Sequence, residues 1–219
     1  MSKRGVIGMV GVVILAFLIS LWFYPRLPDP MASHWNAHGQ VDGYMSRFWG
    51  AFLMPFVLVG LAFLFYVIPL IDPLRENIRQ FRGYYEGFVF LFFLYMLAIH
   101  LWTLLWNVGI RISPNVFFPI GVGVLFVFVG FLLEHVRPNW FVGIRTPWTL
   151  SSERVWKRTH QVGAWVFKVI GVLVMVGGIL APRHTVWIIL GTVIAGTLGL
   201  VVYSYVLYEQ ERRASGGSH

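Results

Sequence analysis

The chain has 219 residues, of which 58% are hydrophobic and 12% charged, against roughly 45–50% and about 25% in soluble domains. That balance excludes an ordinary soluble fold, and it makes the formal charge of +8 a matter of membrane orientation rather than of direct contact with nucleic acid. With no cysteine, disulfides, CxxC redox pairs and thiolate metal sites are excluded as well.

The first apolar run, Val6–Tyr24, exceeds the roughly 7–15 residues of a secretory h-region, and no small-residue cleavage site follows it. It is expected to stay as a first membrane helix. A bilayer core of about 30 Å takes about 20 helical residues. Five more runs meet that length: Phe48–Ile71, Phe88–Trp106, Val116–Leu133, Val162–Leu180 and Val186–Tyr208. None alternates as a barrel strand would, so the fold class expected is an all-α integral membrane protein with six transmembrane helices. Pro55 and Pro69 remove backbone donors from the second helix and predict a kink. Trp22, Tyr24, Trp49, Trp102 and Trp106 close or open spans, where interfacial aromatics belong. Gly191, Ala195 and Gly199 recur every four residues in the sixth run. Such a stripe lets helices approach closely; packing within the chain is the preferred reading, and a homo-oligomer contact the alternative. No internal repeat of the transporter kind is visible. The terminal ASGGSH, 214–219, has the character of an added tail and carries no argument.

Of seventeen Lys and Arg residues, only Arg26, Arg47, Arg111 and Arg183 fall outside if both termini lie inside. The excess of cations on the other side sets that orientation, in a multipass protein of the plasma membrane.

Between the first two helices, Pro25, Pro28 and Pro30 give an extended start, followed by His34, Asn36, His38, Gly39 and Asp42. Four-residue spacing would place His34, His38 and Asp42 on one helical face, a candidate transition-metal site. Gly39 opposes a helix there. The competing expectation is a tight glycine turn, held by hydrogen bonds of His34 and Asp42, that covers the helix ends.

The longest polar interruption, Pro138–Gly163, sets Arg145, Arg154, Lys157 and Arg158 beside Trp140, Trp148 and Trp156, with Arg137 just upstream. Pro138 ends the fourth helix and Pro147 extends Thr146. Thr149, Ser151 and Ser152 offer cap oxygens to a new helix with Glu153 in its first turn. Trp156, His160 and Gly163 share one face of that helix, while Arg154, Lys157 and Arg158 point toward water or headgroups. Arg145 is expected to pair with Glu153 and to stack on an indole.

This segment resembles the signature of the SdpI family of bacterial and archaeal membrane proteins. The matching residues are Asn139, Trp140, Gly143, Ile144, Arg145, Thr146, Pro147, Trp148, Thr149, Leu150, Glu153, Trp156, Thr159, His160 and Gly163. Pro28, Met31, His34, Trp35, Asn36, Gly39, Asp42 and Tyr44 are similar to the family's accompanying N-terminal module. The resemblance divides the chain into residues 1–72, the N-terminal module, and 73–213, the SdpI-like module. It implies immunity to a secreted antimicrobial peptide toxin and recruitment of a cytoplasmic transcriptional repressor, with membrane lipids around the bundle. In that reading the partner-binding residues are Asn139, Gly143, Arg145, Thr146, Pro147, Trp148, Glu153, Trp156 and His160, and no cofactor is required. From a different class, a membrane metalloenzyme or proton-coupled transporter would use His100, the one ionisable side chain well inside a span. Glu134, His135 and His160 would then converge with Arg145. No nucleophile–base pair or full ligand set supports that chemistry, so a non-enzyme is the preferred expectation.

Overall fold

The computed structural model describes residues 1–216 of the protein. Its helices are α1 (Lys3–Phe23), α2 (Arg47–Ile71), α3 (Arg75–Gln80), α4 (Arg82–Asn107), α5 (Pro114–His135), α6 (Pro147–Ser151), α7 (Glu153–Leu180) and α8 (Thr185–Gly216). Six of them, all but the short α3 and α6, are long and apolar enough to cross a membrane. The expected spans are therefore all present, and each helix starts before its apolar run. Two start well before it, the fifth with Glu153 in its first turn, as its cap residues led one to expect. The third begins at Arg82 and the fifth at Glu153, because a helix can continue into the headgroup region once its end carries charge. Residues 214–216 of the presumed tail continue α8, and 217–219 lie outside the described residues.

The Ser2 hydroxyl donates to Glu86 at the start of α4, 2.6 Å, and the Ser152 hydroxyl donates to Glu211 near the end of α8, 2.7 Å. The first residues, the end of α8, α3 and the 136–152 segment thus share one end of the bundle, here the terminal end. Among the described residues, the opposite end carries the one departure from an all-α architecture. Strands β1 (Met31–Trp35) and β2 (Val41–Met45) form an antiparallel hairpin. The helical register of His34, His38 and Asp42 is thereby overturned. Asn36 Oδ1 accepts from the His38 and Gln40 amides, and Gly39 takes φ +76, a conformation that interrupts any helix and suits glycine. The hairpin lies over the helix ends: Ala32 exchanges two bonds with the Asn107 side chain, and Asn115 donates to the Ala37 carbonyl. Trp35 packs on Trp102 and Trp106. Trp102 is consequently buried under the hairpin, its Nε1 donating to Ile112 O, and does not serve as the interfacial anchor expected of it.

Three prolines lie inside membrane helices: Pro55 and Pro69 in α2 and Pro119 in α5. Each removes the donor for the carbonyl four residues earlier, and in a bilayer core no water replaces it. In every case a hydroxyl from another segment does. Ser20 of α1 donates to Ala51 O at 2.6 Å, Tyr85 of α4 to Phe65 O at 2.7 Å, and Thr185 of α8 to Asn115 O at 3.3 Å. Because the one Ser20 proton is committed to backbone, the His100 Nε2–H is the donor in their 2.9 Å contact. His100 is buried and braces α1, α2 and α4 together; it faces protein. Tyr85→Phe is expected to cost about 1 kcal/mol, seen as a lower melting temperature in detergent. In a Pro69→Ala background, where the amide returns, the same change should cost nearly nothing. Equal costs in both backgrounds would disprove this pairing.

The closest helix contact joins α5 to α7. Gly123 and Gly130 of α5, seven residues apart, face Gly171 and Ala164 of α7, also seven apart, and Gly178, seven further on, faces Pro119. An ideal Cβ on Gly123 would lie 2.5 Å from Gly171 O, and one on Gly171 would lie 2.5 Å from Gly123 O. A seven-residue repeat holds one seam of a left-handed helix pair, so backbone meets backbone along it. The Gly191, Ala195 and Gly199 stripe does not serve this purpose. A Cβ at Gly191 or Gly199 would meet nothing within 4 Å, and Gly196 instead seats Ile170.

Candidate partner-binding site

The segment linking α5 to α7 has an interior frame and an exposed rim. At its start, Asn139 is fully buried and uses both ends of its amide. Nδ2 donates to the Arg137 and Val142 carbonyls, each at 2.8 Å, and Oδ1 accepts from the Phe141 and Val142 amides at 2.9 and 2.6 Å. One side chain thereby replaces the backbone bonds that a turn through Pro138 cannot make. Gly143 follows with φ +115, a conformation costly for residues bearing a Cβ, and an ideal Cβ there would lie 2.5 Å from His160 Nε2. The reason for that approach is the next amide: Ile144 N–H donates to His160 Nε2, 2.9 Å. On the other side of the ring, Nδ1 meets Trp156 O at 2.7 Å. Nε2 as acceptor and Nδ1–H as donor define the neutral Nδ1–H tautomer. Trp156 stacks on this ring with centroids 4.1 Å apart and donates its own Nε1–H to Val136 O. Gly163 leaves room for Ile144, whose Cδ1 would sit 2.4 Å from a Cβ there.

Two consecutive caps then turn the chain. Thr146 caps α6 reciprocally with Thr149, with Pro147 in the first helical turn, and Ser152 caps α7 by accepting from the Val155 amide. Thr146 also meets Ser204 of α8 at 3.0 Å, and Trp148 packs on Tyr205 at 5.1 Å. A buried carboxylate, Asp72, crosses from the end of α2: its Oδ2 accepts from the Trp140 amide, 2.9 Å, and its Oδ1 from Leu74. Asn77 adds a bond to Pro138 O, 2.7 Å. Asp72, Asn77, Ser204 and Glu211 escaped the sequence reading. Asp72 carried a usable signal, since an acid at a helix C-terminus opposes the macrodipole and calls for another partner.

The structure brings Asn139, Gly143, Thr146, Pro147, Trp148, Trp156 and His160 together, and Glu153, exposed at the start of α7, lines the same cleft as Trp156 and His160. It corrects the expected Arg145–Glu153 pair. Among the described residues Arg145 makes no ion pair and stacks on no indole; its Nη1 donates to Trp140 O. A guanidinium closing its own turn through a carbonyl needs no distant carboxylate. Outside the frame stand Arg145, Pro147, Trp140 (52% exposed), Phe141 and Leu150 (41%). Arg154, Lys157 and Arg158 are exposed on α7, as their helical spacing required.

Glu134, His135 and His160 reach one cleft of about 610 Å³ at this end, yet each is already engaged. Glu134 pairs with Lys168 at 2.6 Å, the His135 ring stacks on Tyr84 at 3.8 Å while Nδ1 meets Phe131 O, and both His160 nitrogens are committed. At the hairpin end His34 and Asp42 form an exposed cross-strand pair, Nδ1 to Oδ1 at 2.5 Å, and Asn36, His38 and Gly39 build the turn. Among the described residues no group of three or more His, Asp or Glu side chains is placed to hold a metal.

Comparison with known proteins places these elements. The model of the "SdpI/YfhL protein family" matches residues 135–204, and that of the "Domain of unknown function (DUF1648)" matches residues 11–59. The chain is 24% identical over 214 residues to the "Immunity protein SdpI" of Bacillus subtilis (strain 168), covering 98% of this chain and 99% of that protein. No solved structure matches the chain.

Proposed function

From a chain that carries the SdpI/YfhL family pattern and resembles an immunity protein along nearly its whole length, we infer that this multipass membrane protein protects its cell from a secreted antimicrobial peptide. The single observation that supports the reading most is the collinear likeness over 98% of this chain and 99% of the relative, which takes in both the hairpin and the terminal-end frame. The terminal end faces the cytoplasm, a reading the cation distribution supports, and the hairpin faces the peptide outside. The rim of Trp140, Phe141, Arg145 and Leu150 meets an intracellular regulator. It mixes aromatic anchors with an arginine, the combination enriched at protein interfaces. Asn139, Gly143, Thr146, Trp156 and His160 hold the rim in shape without touching the partner. Enzymatic and transport readings are not favoured, since the residues they would use are committed to structural bonds.

Two experiments test this. The chain has no cysteine, so single cysteines report topology without background. Ser46→Cys, at the hairpin end, should label in intact cells, and Ser151→Cys only after permeabilisation; the reverse would overturn the orientation. Expression in a peptide-sensitive strain lacking its own immunity protein should raise the concentration of peptide needed to stop growth. An unchanged inhibitory concentration, with the protein present in the membrane, would refute protection.

A further inference from the structure

At the terminal end, where α2 gives way to α3 and α4, a cavity of about 240 Å³ is lined by Arg75, Arg79 and Arg82 together with Pro69, Leu70 and Ile78. We propose that this cavity is a binding site for the phosphate headgroup of an anionic phospholipid, with the acyl chains laid along the end of α2. Three observations carry it. First, three arginines line one small cavity, and arginine forks match phosphate oxygens. Acidic neighbours do not cancel them all. Glu76 engages Arg79 at 2.6 Å, and Glu86 lies 4.0 Å from Arg82 while also accepting from Ser2; Arg75 makes no ion pair among the described residues. Second, the floor is firm, since Ile78 is 2% exposed and Tyr85, which also lines the cavity, has its hydroxyl fixed on Phe65 O. Third, the outer wall is apolar and open. Leu70, which lines the cavity, is 52% exposed, and its chain neighbours Ile71 and Leu74 are 56 and 42% exposed, which suits a ligand with both a phosphate and hydrocarbon. A basic pocket between membrane helices at the interface is the setting in which anionic headgroups are recognised.

The test uses the full chain in phosphatidylcholine nanodiscs, alone, with phosphatidylglycerol as a minor component, or with inorganic phosphate in the buffer. Retained lipid is read by native mass spectrometry, and melting temperature in parallel. Phosphatidylglycerol should be retained and should raise the melting temperature of the wild type. Arg75→Gln/Arg79→Gln, which alters two exposed side chains, should reduce retention by at least about tenfold. Arg154→Gln/Arg158→Gln, which removes equal charge at the same end away from the cavity, should retain lipid as the wild type does. Equal loss in both double variants would overturn the site in favour of diffuse charge, and unchanged retention in the first would overturn it outright. Phosphate alone reproducing the melting shift would replace the lipid by a free anion and overturn the assignment.

Discussion

Gly143→Ala is expected to destabilise the protein by about 2–4 kcal/mol, the sum of a left-handed backbone imposed on a residue with a Cβ and a buried hydrogen bond lost. The turn holds φ +115, and the new methyl would lie 2.5 Å from His160 Nε2. To escape, the chain must move Ile144 away from the ring, and the Ile144 N–H to His160 bond breaks with it. His160→Ala should lower the melting temperature through the same bond while leaving the glycine unstrained. The double variant should therefore cost less than the sum of the two single changes. Additive effects would mean that glycine and histidine act separately, and that the frame is not one unit.

Gly171→Leu should have the largest effect of any single change. Backbone meets backbone at this point: a Cβ on Gly171 would contact Gly123 O at 2.5 Å and the Val127 amide nitrogen at 2.8 Å. Neither neighbour is the end of a flexible side chain that can swing aside, so α5 and α7 must separate. Overpacking typically costs about 1–3 kcal/mol and more where backbone has to shift. The separation would also strain the Lys168–Glu134 pair and Gly130, whose Cβ would lie 2.7 Å from Ala164 O. Folded protein recovered from membranes should fall sharply. Gly191→Leu, with nothing within 4 Å of its Cβ, serves as the matched control and should be tolerated. Comparable yields for the two variants would contradict the assigned seam.

That pair of glycines also shows how far the residues alone could be read. The six spans follow from apolar length, a property of each segment by itself, and so they emerged with only their ends misplaced. Which glycines touch another helix depends on how helices rotate about their axes. A four-residue stripe in α8 therefore drew attention that belonged to the seven-residue repeats of α5 and α7. In the outer segment the glycine turn over the helix ends, with its His34–Asp42 pair, is found as expected, while the helical register fails for a similar reason. His34, His38 and Asp42 fit a helical period, but Asn36 and Gly39 close a turn and the chain returns as a strand. In the terminal-end frame, the motif residues were legible as a group. Their division into buried struts and exposed rim was not, because it depends on Asp72 and Ser204, distant in sequence. Arg145 was assigned to Glu153 on proximity, whereas the carbonyl of Trp140, five residues back, lies within reach of its fork.

If function resides in the exposed rim and stability in the frame beneath it, substitution can separate the two. The measurement that tests this separation most directly is peptide protection and melting temperature recorded side by side for Arg145→Ala and Arg145→Lys. Arg145 is exposed and holds only the Trp140 carbonyl, and exposed interactions contribute about 0–1 kcal/mol. Both variants should keep the wild-type melting temperature and lose protection, since an ammonium does not reproduce the planar fork. A melting temperature that falls in step with the lost protection would contradict the separation and make the whole segment scaffold.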